Sequence, residues 1–245
     1  MINPWIEVGI RLFGSLICVA LMWRFSYTHL LVPKKPSLMR ILIVLPFFVI
    51  AVNNFPFLSV LMGDAGLVGA TAWGYAKYAL LCLSVGLFEE LAFRGCAFTI
   101  ALEQTKKIAS APIRVLVASV ISSAIFGLVH LTNLFAGASV GGTLLQVCYS
   151  FLIGGMCSII LIKTQNVWYC VLCHAIYNFA GGVVPELGSG TIWTVPTVVL
   201  TAVVAVAVTV YAFVVLFGVT SKEVEKTVKG KRAQAVREED SNDHV

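Results

Sequence analysis

Seven apolar stretches, each near the length of a membrane-spanning helix, succeed one another between residues 5 and 218, and no other feature restricts the fold so far. A helix needs about 20 apolar residues to cross the hydrocarbon core. In lipid, every backbone N–H and C=O must also be satisfied inside the element, which leaves helices for a chain of this kind. The expected fold is therefore all-α, a polytopic transmembrane helical bundle of about seven spanning helices. The runs cover 5–23, 41–62, 75–102, 113–135, 143–162, 167–184 and 192–218. Pro46 and Pro56 predict a kink or an early end in the second run, because proline lacks a donor and crowds the preceding turn. No small-residue cleavage site follows the first run, so it is read as a span and not a removed leader.

Composition enters as a check on that reading. With 59% hydrophobic residues against 12% charged ones, the chain is too apolar for an ordinary soluble domain. The formal charge of +5 does not indicate nucleic acid, since the basic residues flank apolar runs and do not line an aromatic-studded surface. They read as topology signals: of the 17 Lys and Arg, all except Arg11, Lys77 and Arg94 fall on alternate connections or in the tail, one side of the bundle. That bias predicts an outside N-terminus and a cytoplasmic C-terminus in the cell membrane. Residues 1–220 form one integral membrane domain on this reading, followed by a charged cytoplasmic tail at 221–245, a solvated helix fraying into disorder. The basic portion of that tail, Lys222 to Arg232, is suited to contact with anionic lipid.

Three segments break the apolar pattern. Val85 to Gly95 carries Glu89, Glu90 and Arg94; Phe126 and His130 stand four apart on the fourth run; His174 and Asn178 stand four apart on the sixth. Ionisable groups inside a membrane are costly, so function is their default reading. Each helical residue advances about 100°, which puts Glu90 and Arg94 on one face and displaces Glu89 by one step. Arg94 is thus expected to neutralise Glu90 and to leave Glu89 free to face a cavity. Glu89 precedes Lys106 by 17 positions, His130 follows Arg114 by 16 and His174 follows Lys163 by 11, so the three are expected at a similar depth.

Two imidazoles, a carboxylate and an amide suit hydrolysis of a peptide bond. In one arrangement Glu89, aided by His130, is the general base on a water, and His174 and Asn178 donate to the oxyanion. In another, Glu89, His130 and His174 are ligands of a catalytic divalent metal such as zinc, with water in the fourth position. The HExxH pattern of soluble zinc proteases is absent and the residues leave both open. No serine sits in a GxSxG-like turn. The seven cysteines lie mostly in apolar runs and are read as packing groups, including Cys170 and Cys173 beside His174, which lack the second ligand pair of a structural zinc site.

Glu89-Glu90-x-x-x-Arg94, Phe126-x-x-x-His130 and His174-x-x-x-Asn178, in that order on successive apolar runs, resemble the three motifs of the CPBP intramembrane proteases, the CAAX-processing and bacteriocin-processing group, which includes type II CAAX prenyl endopeptidases. The resemblance covers about residues 75–182. It implies a membrane endopeptidase with Glu89, His130, His174 and Asn178 in the active site, supported by Glu90, Arg94 and Phe126, acting on a membrane-bound or lipidated peptide. The family is described both as metal-dependent and as using water activated by glutamate and histidine, so a divalent metal or no cofactor follows equally. Two other classes compete: a non-enzymatic membrane protein for bacteriocin self-immunity or peptide export, and a proton-coupled transporter with the carboxylates as a relay. No inverted repeat, the usual mark of a transporter, is visible.

Overall fold

The computed structural model of the protein describes residues 3–33, 35–67 and 69–229. The described chain is helical throughout its length: α1 (Pro4–Arg24), α2 (Leu38–Asn53), a short α3 (Phe57–Leu61), α4 (Ala72–Glu90) leading through a π-helical stretch (Leu91–Phe98) into α5 (Thr99–Gln104), α6 (Ala111–Val129) with a 3-10 extension (His130–Leu134), α7 (Val140–Thr164), α8 (Val167–Leu187), α9 (Val195–Phe217) and α10 (Ser221–Lys229). Five of these are long and apolar enough to cross a membrane: α1, α6 with its extension, α7, α8 and α9. The all-α bundle expected from the apolar runs is the fold observed. A two-residue antiparallel pair, β1 (Ala65–Gly66) with β2 (Ser189–Gly190), is the exception.

Helix starts follow the polar residues that punctuate the apolar runs. Thr71 accepts from Gly74 N–H at the head of α4, Ser139 accepts from Gly142 N–H at the head of α7, and Asn166 accepts from Trp168 N–H at the head of α8. Each satisfies a donor that the first turn leaves without an intrahelical partner. The tight connection between α7 and α8 turns on Gln165, left-handed at φ 56°.

Three boundaries differ from those of the apolar runs. The second run does not continue to Met62: α2 stops at Asn53, and Asn54, Phe55 and Pro56 separate it from α3. Pro56 has no N–H to continue the ladder, so of the two outcomes its position predicts, the early end is realised. In the third run, hydropathy carries no mark of the π-helical stretch. In the fourth, the α-helix ends at Val129 and His130 opens the 3-10 extension.

α4 packs along α8, α6 along α7, α1 along α4 and α2 along α8, with α9 on the outside. Gly86 is what allows α4 to approach α8 so closely: a Cβ there would lie 2.9 Å from the Val171 carbonyl oxygen. α9, with a mean hydropathy of 2.7 over its most apolar window and none of that window buried, faces outward along most of its length. Such a surface is stable only against lipid.

The basic connections collect at one end. Tyr27 donates to Glu103, His29 Nε2 lies 3.0 Å from the Thr227 carbonyl, Trp168 donates to the Leu31 carbonyl at 2.8 Å, and Lys163 pairs with Glu223 at 3.1 Å. The opposite end holds the β1–β2 pair and the hydrogen bonds of Ser59 to Ile192, Thr194 and Thr197. The start of the tail is not the free solvated helix expected from its charge. Val224, Thr227 and Val228, spaced three and four apart, bury one face of α10 against the basic end. Residues 230–245, including the rest of the charged tail, lie outside the described residues.

Candidate active site

The carboxylates of α4 occupy different surroundings although they are adjacent in sequence. Glu90 is fully buried, and its Oε1 lies 3.1 Å from Arg94 Nη1 one turn on, close enough for an ion pair. The same oxygen is 2.7 Å from Nδ1 of His174 on α8. Glu89 is partly exposed and faces His174 from the other side, with Oε2 3.4 Å from Nε2. His174 is therefore held between the two carboxylates, and both ring nitrogens face oxygen.

Arg94 sits in the π-helical stretch, where the i→i+5 bonding of the backbone re-aims side chains relative to a regular α-helix. Its guanidinium carbon stands 4.7 Å from the centre of the Phe126 ring, a cation–π arrangement. Phe126 joins the three motifs: its ring centre is 4.7 Å from that of Phe93, 5.0 Å from His130 and 5.8 Å from His174. Ser122 on the same helix donates to the Phe93 carbonyl at 2.8 Å, which ties α6 to the π-helical stretch. His130, at the α6 terminus, places Nδ1 2.9 Å from the Phe126 carbonyl oxygen. That oxygen only accepts, so Nδ1 carries the proton and Nε2 keeps its lone pair.

Glu89, Phe126, His130, His174 and Asn178 all line one cavity of about 940 Å3 between α4, α6, α7, α8 and α9. Glu90 and Arg94 are not part of its lining and stand behind it. Asn178 is one turn beyond His174, and its backbone carbonyl accepts from Tyr78 Oη at 3.3 Å. Other polar groups of the lining were not singled out by the motif spacing, among them Arg11, Asn54, Asn133, Gln146, Tyr149 and Tyr177. Asn54 donates to the Tyr177 carbonyl at 2.9 Å, and Asn133 donates to Gln146 at 2.8 Å. Asn54 carried a readable signal, an amide in an apolar run just before Pro56. A tyrosine or glutamine within a long apolar run gives no comparable mark. An apolar cavity of about 350 Å3 adjoins the first and shares Asn54, Tyr149 and Tyr177 with it.

A metal would need several donor atoms to converge. Among the described residues, donors of three His, Cys, Asp or Glu side chains come within 4.8 Å of one another in Glu90, Cys157 and Cys170. Glu89, His130 and His174 do not form such a group, although Glu89 and His174 are in contact. Cys173, next to His174, points its thiol away toward the Phe47 carbonyl, 3.7 Å distant.

Nothing among curated proteins and nothing among solved structures matches this chain. Residues 70–180, which carry every motif residue of the cavity and its backing, match the model of the family described as Type II CAAX prenyl endopeptidase Rce1-like.

Proposed function

We propose that the protein is an intramembrane endopeptidase that hydrolyses a peptide bond of a membrane-bound or lipidated peptide, with Glu89 as the base that activates water. One observation carries the proposal. Of two adjacent carboxylates, Glu90 is sealed behind the cavity against Arg94 and His174, while Glu89 faces the cavity beside His174, with His130 and Asn178 on the same wall. A structural ion pair accounts for Glu90 and Arg94. It does not account for a second carboxylate turned toward a space large enough for a peptide segment.

The step follows from the donors and acceptors. Glu89 takes a proton from water, and His130 Nε2, left as an acceptor by the Nδ1 contact with the Phe126 carbonyl, orients that water. The hydroxide attacks the carbonyl carbon, and the charge developing on oxygen is met by the Asn178 amide and by Nε2–H of His174, whose ring between two carboxylates carries a proton on each nitrogen. Collapse breaks the C–N bond, and the proton held by Glu89 passes to the leaving nitrogen. Glu90 and Arg94 hold the His174 ring from behind and touch no reacting atom; they are positioning residues. The donors of Glu89, His130 and His174 do not converge as a metal site requires, so no step is routed through an ion.

We also place α2 and the α4–α5 rod in the bilayer, which gives seven crossings, with the basic end and α10 on the cytoplasmic side of the cell membrane. The test of function is a comparison of membrane-associated peptides from cells expressing wild type or Glu89→Gln at matched levels. New peptide termini found only with wild type are the expected result. Identical profiles in a host that contains the natural peptide would remove the proteolytic reading and favour immunity or transport.

A further inference from the structure

Behind the cavity, three helices bring sulfur and carboxylate together. Cys157 on α7, Cys170 on α8 and Glu90 at the end of α4 are all fully buried, and one donor atom of each lies within 4.8 Å of the other two. The helices are close enough here for the Cys170 thiol to reach the Cys157 carbonyl at 3.2 Å.

Two further observations point to a ligand. Glu90 Oε1 is already engaged by His174 and Arg94, yet Oε2 is buried with no hydrogen-bond partner. A carboxylate oxygen left so in the interior is costly unless something binds it. Arg94 is buried too, and none of its three nitrogens has a well-aligned hydrogen bond, so its charge is incompletely compensated. Two thiolates and one carboxylate carry three negative charges. A divalent cation together with the Arg94 guanidinium carries three positive ones, and the buried cluster becomes neutral.

From this geometry we infer that Glu90, Cys157 and Cys170 bind a thiophilic divalent cation of the zinc class. Zinc bonds thiolate sulfur at about 2.3 Å and carboxylate oxygen at about 2.0–2.2 Å, so its ligand atoms stand roughly 3.5 Å apart. Atoms within 4.8 Å close on such an ion by small side-chain rotations. Because all three ligands are fully buried and none lines the cavity, the site is structural and out of reach of substrate. It fastens α4, α7 and α8 to one another and fixes Glu90, which in turn holds His174. The cation is distinct from any ion at Glu89, and its existence does not depend on the chain being a protease.

The test is metal content of the full chain purified in detergent without chelators, followed by cobalt substitution. About one zinc per chain is expected in wild type and in Glu89→Gln, with at least a tenfold loss in a Cys157→Ser, Cys170→Ser double variant that keeps the wild-type elution profile. Cobalt-loaded wild type should show a thiolate-to-metal charge-transfer band, a readout that needs no variant to fold. The inference falls if wild type holds no stoichiometric zinc, if cobalt gives no such band, or if the double variant keeps its zinc. Zinc lost from Glu89→Gln but kept without the two thiols would place the ion in the cavity instead. Cleavage that survives Glu89→Gln would remove the assignment of Glu89 as the base and leave the thiolate site intact.

Discussion

At the scale of single residues, the two neighbouring glutamates should separate stability from activity. Arg94→Leu leaves the Glu90 carboxylate buried with its main counter-charge gone, and removal of one partner from a buried pair costs about 3–5 kcal/mol. The expected result is a clear drop in the thermal midpoint of the detergent-solubilised protein. Glu89→Gln, on a partly exposed carboxylate, should leave that midpoint nearly unchanged while the cleavage rate falls by about 100-fold to 10,000-fold, the usual contribution of a general base. An equal loss of stability in both variants would mean that Glu89 is structural as well. Phe126→Leu is a milder probe. It removes the ring under Arg94 and beside both histidines, with an expected cost of about 1–2 kcal/mol, less than that of Arg94→Leu.

At the scale of elements, the close contact of α4 with α8 and the docking of α10 are separately testable. Gly86→Val should lower the thermal midpoint by an amount equivalent to about 1–3 kcal/mol, since its side chain meets the α8 backbone, which cannot rotate away. Burial of Glu223 works to raise its pKa, but the Thr220 N–H and the Lys163 ammonium outweigh that, so the carboxyl is held below its ordinary 4.5. A carboxyl depressed in the folded state contributes stability that is present above the unfolded value and lost as pH falls through the folded one. Protection factors across 221–229, corrected for the intrinsic exchange rate, should therefore fall as pH is taken below 4.5, before those in α8 do. Protection that stays high in that range would show that the apolar face of α10 holds it without the Lys163 pair.

The same scale shows what was legible beforehand and why. The helix runs were readable because a bilayer demands length and hydrophobicity, and both are plain in the sequence. The phase of Glu89, Glu90 and Arg94 was readable from helical spacing alone. The end of α2 at Asn53 was half readable, since Pro56 marks a break without saying whether the chain kinks or stops. The π-helical stretch and the gathering of Glu90, Cys157 and Cys170 were not. One depends on how α4 meets α1 and α6, the other on three helices whose mutual rotation no local spacing encodes.

At the scale of the whole molecule, charge and hydropathy act together to orient the bundle. α10 meets α5 and the connections that follow α1 and α7 at one end, and outward-facing helices such as α9 supply the apolar belt between that end and the β1–β2 pair. With the basic end cytoplasmic, an epitope tag at the C-terminus should resist added protease on intact cells and be digested once the cells are opened. Digestion on intact cells would invert the orientation. The cavity belongs to this scale as well. Its wall draws on α4, α6, α7, α8 and α9, and the segment matched by the type II CAAX prenyl endopeptidase family reaches from just before α4 into α8. α1, α2 and α9 lie outside that segment and pack against it.

The central claim is that Glu89 activates a water for attack on a peptide bond within this cavity, and isotope-labelled water tests it most directly. Purified protein in lipid vesicles is given a membrane-anchored peptide library in oxygen-18 water, and the products are weighed. With wild type, each new C-terminal carboxylate should gain one heavy oxygen, and with Glu89→Gln at equal protein content no such product should form. Labelled product formed at the same rate by Glu89→Gln would overturn the proposal, because hydrolysis would then proceed without that carboxylate.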